Sequence, residues 1–190
     1  MTFLSETAEV PKGRRSRKLL IIVGVVAAAA LITVVSILTG GQQTNSSVNQ
    51  LVGKHVKSFT LAGLNGGKVS APWVTGHPTV LVFFASYCGP CKTEMPEIAK
   101  YIRTTNLTPV DVVAVDATDV RSAAQVMVKK DDVTFPVAFD PTAAVTSGIF
   151  GFGTVPESVF VNANGIVTDV YFGAIPKKQL ASGIKLLQAT

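Results

Sequence analysis

Cysteine and histidine are almost missing from this chain. Its 190 residues hold two of each: Cys88, Cys91, His55 and His77. A structural zinc site needs four ligands, and these four stand in an order unlike the usual zinc spacings, so no metal is expected. A basic stripe interleaved with aromatics is also missing, although the formal net charge is +5. Residues 1–18 carry five basic and two acidic side chains and supply +3 of it, while residues 41–190 carry twelve basic and ten acidic ones and add only +2. The positive charge therefore reads as a topology signal, and no nucleic-acid partner is expected. There is no internal repeat, and no cofactor is expected.

The two cysteines form Cys88-Gly89-Pro90-Cys91, the spacing that lets two thiols close a ring across the first turn of a helix. Before them, Val80-Leu81-Val82-Phe83-Phe84 is a continuous apolar run and reads as a strand buried on both faces. After them, Met95, Ile98, Ala99 and Ile102 keep helical spacing. The pair thus sits where a central strand ends and a helix begins. The first N–H groups of a helix lack intrahelical partners and carry a partial positive charge, so a thiolate there is stabilised below the free thiol value of about 8.5. Cys88 is assigned as the nucleophile and Cys91, one turn deeper, as the resolving thiol. Pro90 fits the first turn because its missing N–H would be unpaired anyway. Gly89 keeps bulk away from an approaching partner. A structural staple is the competing reading, but so small a loop stabilises little.

Residues 19–38 carry no charge, and their only non-aliphatic members are Gly24, Thr33 and Ser36. Twenty helical residues span about 30 Å, the thickness of a bilayer core. Lys12, Arg14, Arg15, Arg17 and Lys18 precede them, predicting a cytoplasmic tail over 1–18, a single membrane-spanning signal anchor over 19–38 and an extracytoplasmic C-terminal domain. A cleaved signal peptide is the alternative, although its apolar region is normally shorter and no small-x-small site closes this one. Polar, glycine-rich residues 39–50 read as a flexible linker. An exported domain faces an oxidising space, which favours a working thiol pair over a staple.

Residues 51–190 suffice for one buried domain. Short strands at 58–61 and 68–70 flank Asn65-Gly66-Gly67 as a hairpin. The central strand is predicted over 79–85, a helix over 88–103 and a second apolar strand over 110–115. Thr118 or Asp119 is placed to cap the next helix. Phe135-Pro136-Val137-Ala138 suggests an edge strand, because proline is poorly tolerated in a central one. Strands at 157–161 and 166–172 flank a turn at Asn162-Ala163-Asn164-Gly165, and Pro176 opens a last helix. This order predicts an α/β three-layer sandwich with a mixed central sheet and an N-terminal hairpin extension, preceded by one transmembrane helix.

The run from Phe83 to Pro96, with Val52-Gly53-Lys54, Phe59-Thr60-Leu61, Phe135-Pro136-Val137 and Gly153-Thr154-Val155-Pro156-Glu157-Ser158, resembles the thioredoxin superfamily. It is most similar to the membrane-tethered TlpA/ResA-like thiol-disulfide oxidoreductases of the redoxin or AhpC/TSA-like group. The resemblance covers about residues 51–188. It implies a thioredoxin-like fold and a cis bond before Pro156, beside the cysteines, with Val155 offering its backbone to an incoming peptide. It matches Glu94 to a glutamate able to move a proton to or from the resolving thiol; the competing reading is a solvated surface carboxylate. Pro96 matches a helix-kinking proline. Two departures stand out. Tyr87 replaces the usual tryptophan before the first cysteine, and the superfamily's buried acid has no counterpart within Val80–Phe84. Tyr87, Gly89, Pro90, Val155 and Pro156 form the expected substrate-binding set.

The resulting expectation is a thiol-disulfide oxidoreductase acting outside the cytoplasmic membrane on protein thiols and disulfides. The resemblance implies a reductant, often one serving cytochrome c maturation, supplied with electrons by a membrane partner. A disulfide-forming oxidant is the alternative. A peroxidase lacks support, since Ala85 stands where its threonine belongs. A non-catalytic tethered binding module is the reading from another class.

Overall fold

The computed structural model describes residues 48–189. The predicted tail, anchor and most of the linker lie outside them; among the described residues no helix is long and apolar enough to cross a membrane. The last residues of the predicted linker enter a one-turn helix, α1 (Val48–Leu51).

The elements follow as β1 (Thr60–Gly63), β2 (Lys68–Ser70), a 3-10 turn (Pro72–Thr75), β3 (Thr79–Phe84), α2 (Gly89–Thr104), β4 (Asp111–Ala117), α3 (Arg121–Lys130), β5 (Val137–Asp140), β6 (Glu157–Val161), β7 (Val167–Phe172) and α4 (Lys177–Gln188). They build one mixed seven-stranded sheet in the order β2-β1-β5-β4-β3-β6-β7. β3 pairs parallel with β4 and antiparallel with β6, and every residue of β3 is buried. A strand covered on both faces needs no polar alternation, which is why Val80–Phe84 is uniformly apolar.

Alternate β3 side chains feed two cores. Val80, Val82 and Phe84 pack in a cluster with Met95 and Ile98 of α2, Met127 of α3 and Leu180 and Ile184 of α4. Leu81 and Phe83 face the other way, into a cluster with Trp73, Phe150, Phe152 and Val159. All three long helices thus contribute to one core, and the opposite layer is made by the 3-10 turn and the wound segment between β5 and β6. In that segment Gly148 meets the chain closely: a Cβ there would lie 2.4 Å from the Ala144 carbonyl oxygen. Gly183 of α4 is similarly confined, since a Cβ would strike the Phe160 ring at 2.2 Å.

Two local expectations are corrected. β5 is not an edge strand; it lies between β1 and β4 because the β1–β2 hairpin pairs with its outer side. Pro136 is tolerated because it precedes the strand, and its carbonyl accepts the Ala114 N–H at 2.9 Å. The cap position of α3 is Val120, with no side-chain cap bond. Asp119 directs its carboxylate across to Ser86 instead.

Candidate active site

Cys88 is the N-cap of α2, in an extended conformation, and its Sγ accepts the Cys91 backbone N–H at 3.2 Å. A sulfur at an N-cap takes the place that a serine or aspartate oxygen commonly fills, so negative charge developing on it meets an unpaired amide. Pro90 occupies the first turn. Cys88 and Cys91 are joined by a disulfide, with Cα atoms 5.3 Å apart. Cys88 is 8% exposed and Cys91 fully buried. A partner therefore reaches the first sulfur and not the second.

The Val155–Pro156 peptide is cis, and the Val155 carbonyl oxygen lies 3.5 Å from Cys88 Sγ. Cys88, Val155, Tyr87, Pro90, Thr118 and Phe152 border a groove of about 490 Å³. Tyr87 is 63% exposed, and its hydroxyl shares a 3.1 Å hydrogen bond with Thr118 Oγ1. A Cβ added to Gly89 would meet nothing within 4 Å, so the approach to the cysteines is open there. Of the expected substrate-binding residues, Tyr87, Pro90 and Val155 border the groove with Cys88, while Gly89 follows Cys88 in the chain and Pro156 follows Val155 through the cis bond. His55 and His77 do not join them; His77 pairs with Asp111 at 3.0 Å.

Glu94 is not a solvated carboxylate. It is 5% exposed, its Oε1 accepts the Ile175 N–H at 2.6 Å, and its Oε2 has no partner. Burial pushes its pKa up from 4.5 to about 7, the Ile175 bond opposing the rise. It lies one turn beyond Cys91 on the buried face of α2.

Three further buried acids, Asp116, Asp140 and Glu157, lie beyond the residues that the sequence singles out. Asp116 is fully buried at the end of β4, with no hydrogen-bond partner on either oxygen. Burial, and next the charge of Asp119, raise its pKa to about 8. Glu157, directly after Pro156, is 1% exposed; burial raises it to about 7, while the 3.0 Å bond that Thr154 Oγ1 donates to it works the other way. The available signal is an acid inside or beside an apolar strand. The strand expected over 110–115 stops one residue short of Asp116, and Glu157 stands out in the sequence only as part of a motif.

The AhpC/TSA family model matches residues 52–170. The chain belongs to the AhpC/TSA family. Among its relatives, a thiol-disulfide oxidoreductase ResA of Bacillus cereus is 30% identical over 129 residues, 68% of this chain and 74% of that protein. The thioredoxin-like protein YneN of Bacillus subtilis (strain 168) is 28% identical, over 70% of this chain and 79% of its own length. Among solved structures, MTB dsbF, determined in mixed oxidised and reduced forms, superposes with a TM-score of 0.60 at 28% identity, covering 68% of this chain and 94% of that one. A thiol:disulfide interchange protein of the thioredoxin family from Chlorobium tepidum TLS shares the fold, with a TM-score of 0.62 at 22% identity over 71% and 96% of the two chains. With its Cys88–Cys91 disulfide, the chain is a ResA-like thiol-disulfide oxidoreductase.

Proposed function

We propose that the protein is an extracytoplasmic, membrane-anchored reductant of protein disulfides, with Cys88 as nucleophile and Cys91 as resolving thiol. The observation that carries the assignment of the two thiols is the asymmetry of the pair: Cys88 lies at the groove and takes the Cys91 amide on its sulfur, while Cys91 is sealed from solvent.

In the reduced protein, the Cys88 thiolate attacks one sulfur of a substrate disulfide. The Cys88–substrate bond forms, the substrate S–S bond breaks, and the displaced sulfur leaves as a thiolate and takes a proton. Cys91 then loses its proton and attacks Cys88. The Cys88–Cys91 bond forms and the second substrate sulfur departs, so two electrons have passed to the substrate. Glu94 is suited to hold the Cys91 proton, because a carboxyl titrating near 7 exists in both forms at neutral pH. Val155, with its carbonyl beside Cys88 Sγ, offers its backbone to an extended substrate segment held before Pro156; Tyr87 and Pro90 border the approach, which Gly89 leaves open.

The uncharged run at 19–38 behind a basic tail supports an anchor with a cytoplasmic N-terminus. Outside the membrane no soluble reducing pool is at hand, so a membrane electron-transfer protein would restore the thiols. Apocytochromes awaiting haem attachment are one class of substrate for such a reductant.

The Cys91→Ala variant is expected to accumulate mixed disulfides at Cys88, and mass spectrometry of the trapped species would name the substrate. Equilibration of the wild-type pair with glutathione sets the direction. A potential below roughly −200 mV fits the reductant, while one near about −120 mV, the strongly oxidising value, would make the protein a disulfide donor.

A further inference from the structure

The turn that follows β4 reaches across to the two residues that lead into Cys88. Asp119 accepts the Ser86 backbone N–H on Oδ2 and the Ser86 hydroxyl on Oδ1 at 3.0 Å. Thr118 holds the Tyr87 hydroxyl at 3.1 Å. Thr118 does so from a left-handed backbone conformation, φ +51°, which a β-branched residue rarely adopts. Strain of that kind persists only where surrounding contacts enforce it, and it clusters at functional sites. The side-chain contacts of both residues reach the loop 86–87, directly before the nucleophile, while the Thr118 N–H is held by the Asp140 carbonyl at 3.0 Å and Asp119 Oδ1 also accepts the Val120 N–H at 2.6 Å.

Beneath this clamp lies Asp116. Its register neighbours are Phe84 of β3 and Phe139 of β5, both apolar. The charged groups facing it are Asp119 in the turn, Arg121 at the start of α3 and Asp140 at the end of β5. The helix covering that face, α2, buries Cys91 and Glu94. Asp116 is fixed on the strand and fully buried, whereas Asp119 is half-buried on a turn. If both carried charge, repulsion in an apolar layer would be relieved by the partner nearer solvent, so Asp119 would swing to water and release Ser86.

We propose that Asp119 and Thr118 are positioning residues for Cys88, and that a proton on the buried Asp116 keeps this clamp closed. When Asp116 gives that proton to solvent, Asp119 leaves the Ser86 amide and the loop into Cys88 loosens. The proposal rests on Cys88 as the nucleophile, and it adds an acid–base latch made of residues outside the exchange chemistry.

The test reads the latch in the full-length wild type in detergent, without any variant, by the pH dependence of the Ser86 amide proton and its hydrogen exchange. The Ser86 resonance should move upfield and lose protection with the same midpoint as the Asp116 carboxyl carbon. Alongside it, alkylation of the reduced protein by iodoacetamide, divided by the thiolate fraction from ultraviolet absorbance, should fall about ten-fold or more as pH passes that midpoint, the loss expected of a misplaced nucleophile. Asp116→Asn should abolish that fall, and Asp119→Ala should show the reduced rate at every pH. A Ser86 amide indifferent to the Asp116 titration, or an Asp116→Asn profile that falls like the wild type, would overturn the latch. Failure of Cys88 to be the sulfur alkylated first, read by peptide mapping, would instead overturn the assignment of the nucleophile.

Discussion

Replacing Cys88 with alanine is expected to reduce thiol-disulfide exchange by roughly three orders of magnitude or more, the scale at which removal of a covalent nucleophile acts. Cys91 is the only other cysteine in the chain, and it is fully buried. With Cys88 gone, an incoming disulfide meets no accessible sulfur. Cys91→Ala should behave differently. It leaves the Cys88 sulfur at the groove and the α2 N-terminus intact, so the first attack proceeds while turnover stops at the mixed disulfide. This asymmetry separates catalysis from simple docking. A tethered binding module would lose nothing in Cys88→Ala, because the groove bordered by Tyr87, Thr118 and Phe152 would persist. Insulin reduction in vitro and complementation in cells, measured on both variants, read the difference.

The second large effect is on stability. Glu94, Asp116 and Glu157 are all buried, and burial raises each: Glu94 from 4.5 to about 7, Asp116 from 3.8 to about 8, Glu157 from 4.5 to about 7. A folded state with the higher pKa binds more protons than the unfolded chain between the two values. Its stability contribution is therefore complete below the unfolded value and is lost as pH rises through the folded one. One pKa unit corresponds to about 1.4 kcal/mol, so Glu94 alone is worth on the order of 3 kcal/mol across this window. The denaturant midpoint of the wild type is expected to fall between about pH 5 and about pH 8.5. Glu94→Gln should flatten that fall and be more stable than the wild type at the alkaline end. A midpoint that rises with pH over the same interval would show that these carboxyls are not held protonated by burial.

Features set by local chemistry are legible in the sequence. The apolar run Val80–Phe84, Pro90 in a first turn and the helical spacing of Met95 and Ile98 place the cysteines at a strand–helix junction, where they lie. The strands around Asn162–Gly165 are likewise readable, because turn residues and apolar runs mark each other. Features set by distant partners are not. Whether β5 lies at an edge depends on what pairs with its far side, which Pro136 does not reveal. Asp119 has the composition of a helix cap, yet its carboxylate bonds to Ser86, 33 positions earlier. Glu94 is singled out by its place after Cys91, but its burial under Ile175 is a tertiary fact. Asp116 shows the limit most clearly. An aspartate at the end of an apolar strand ordinarily reads as the start of a solvated turn, and only the packed sheet makes it a buried acid.

Titration of Cys88 in the reduced protein, followed by thiolate absorbance in the Cys91→Ala background, tests the account at its base. The unpaired amides at the start of α2 should hold the thiol at least about one unit below the free value of about 8.5. A Cys88 that ionises at or above that free value would contradict it.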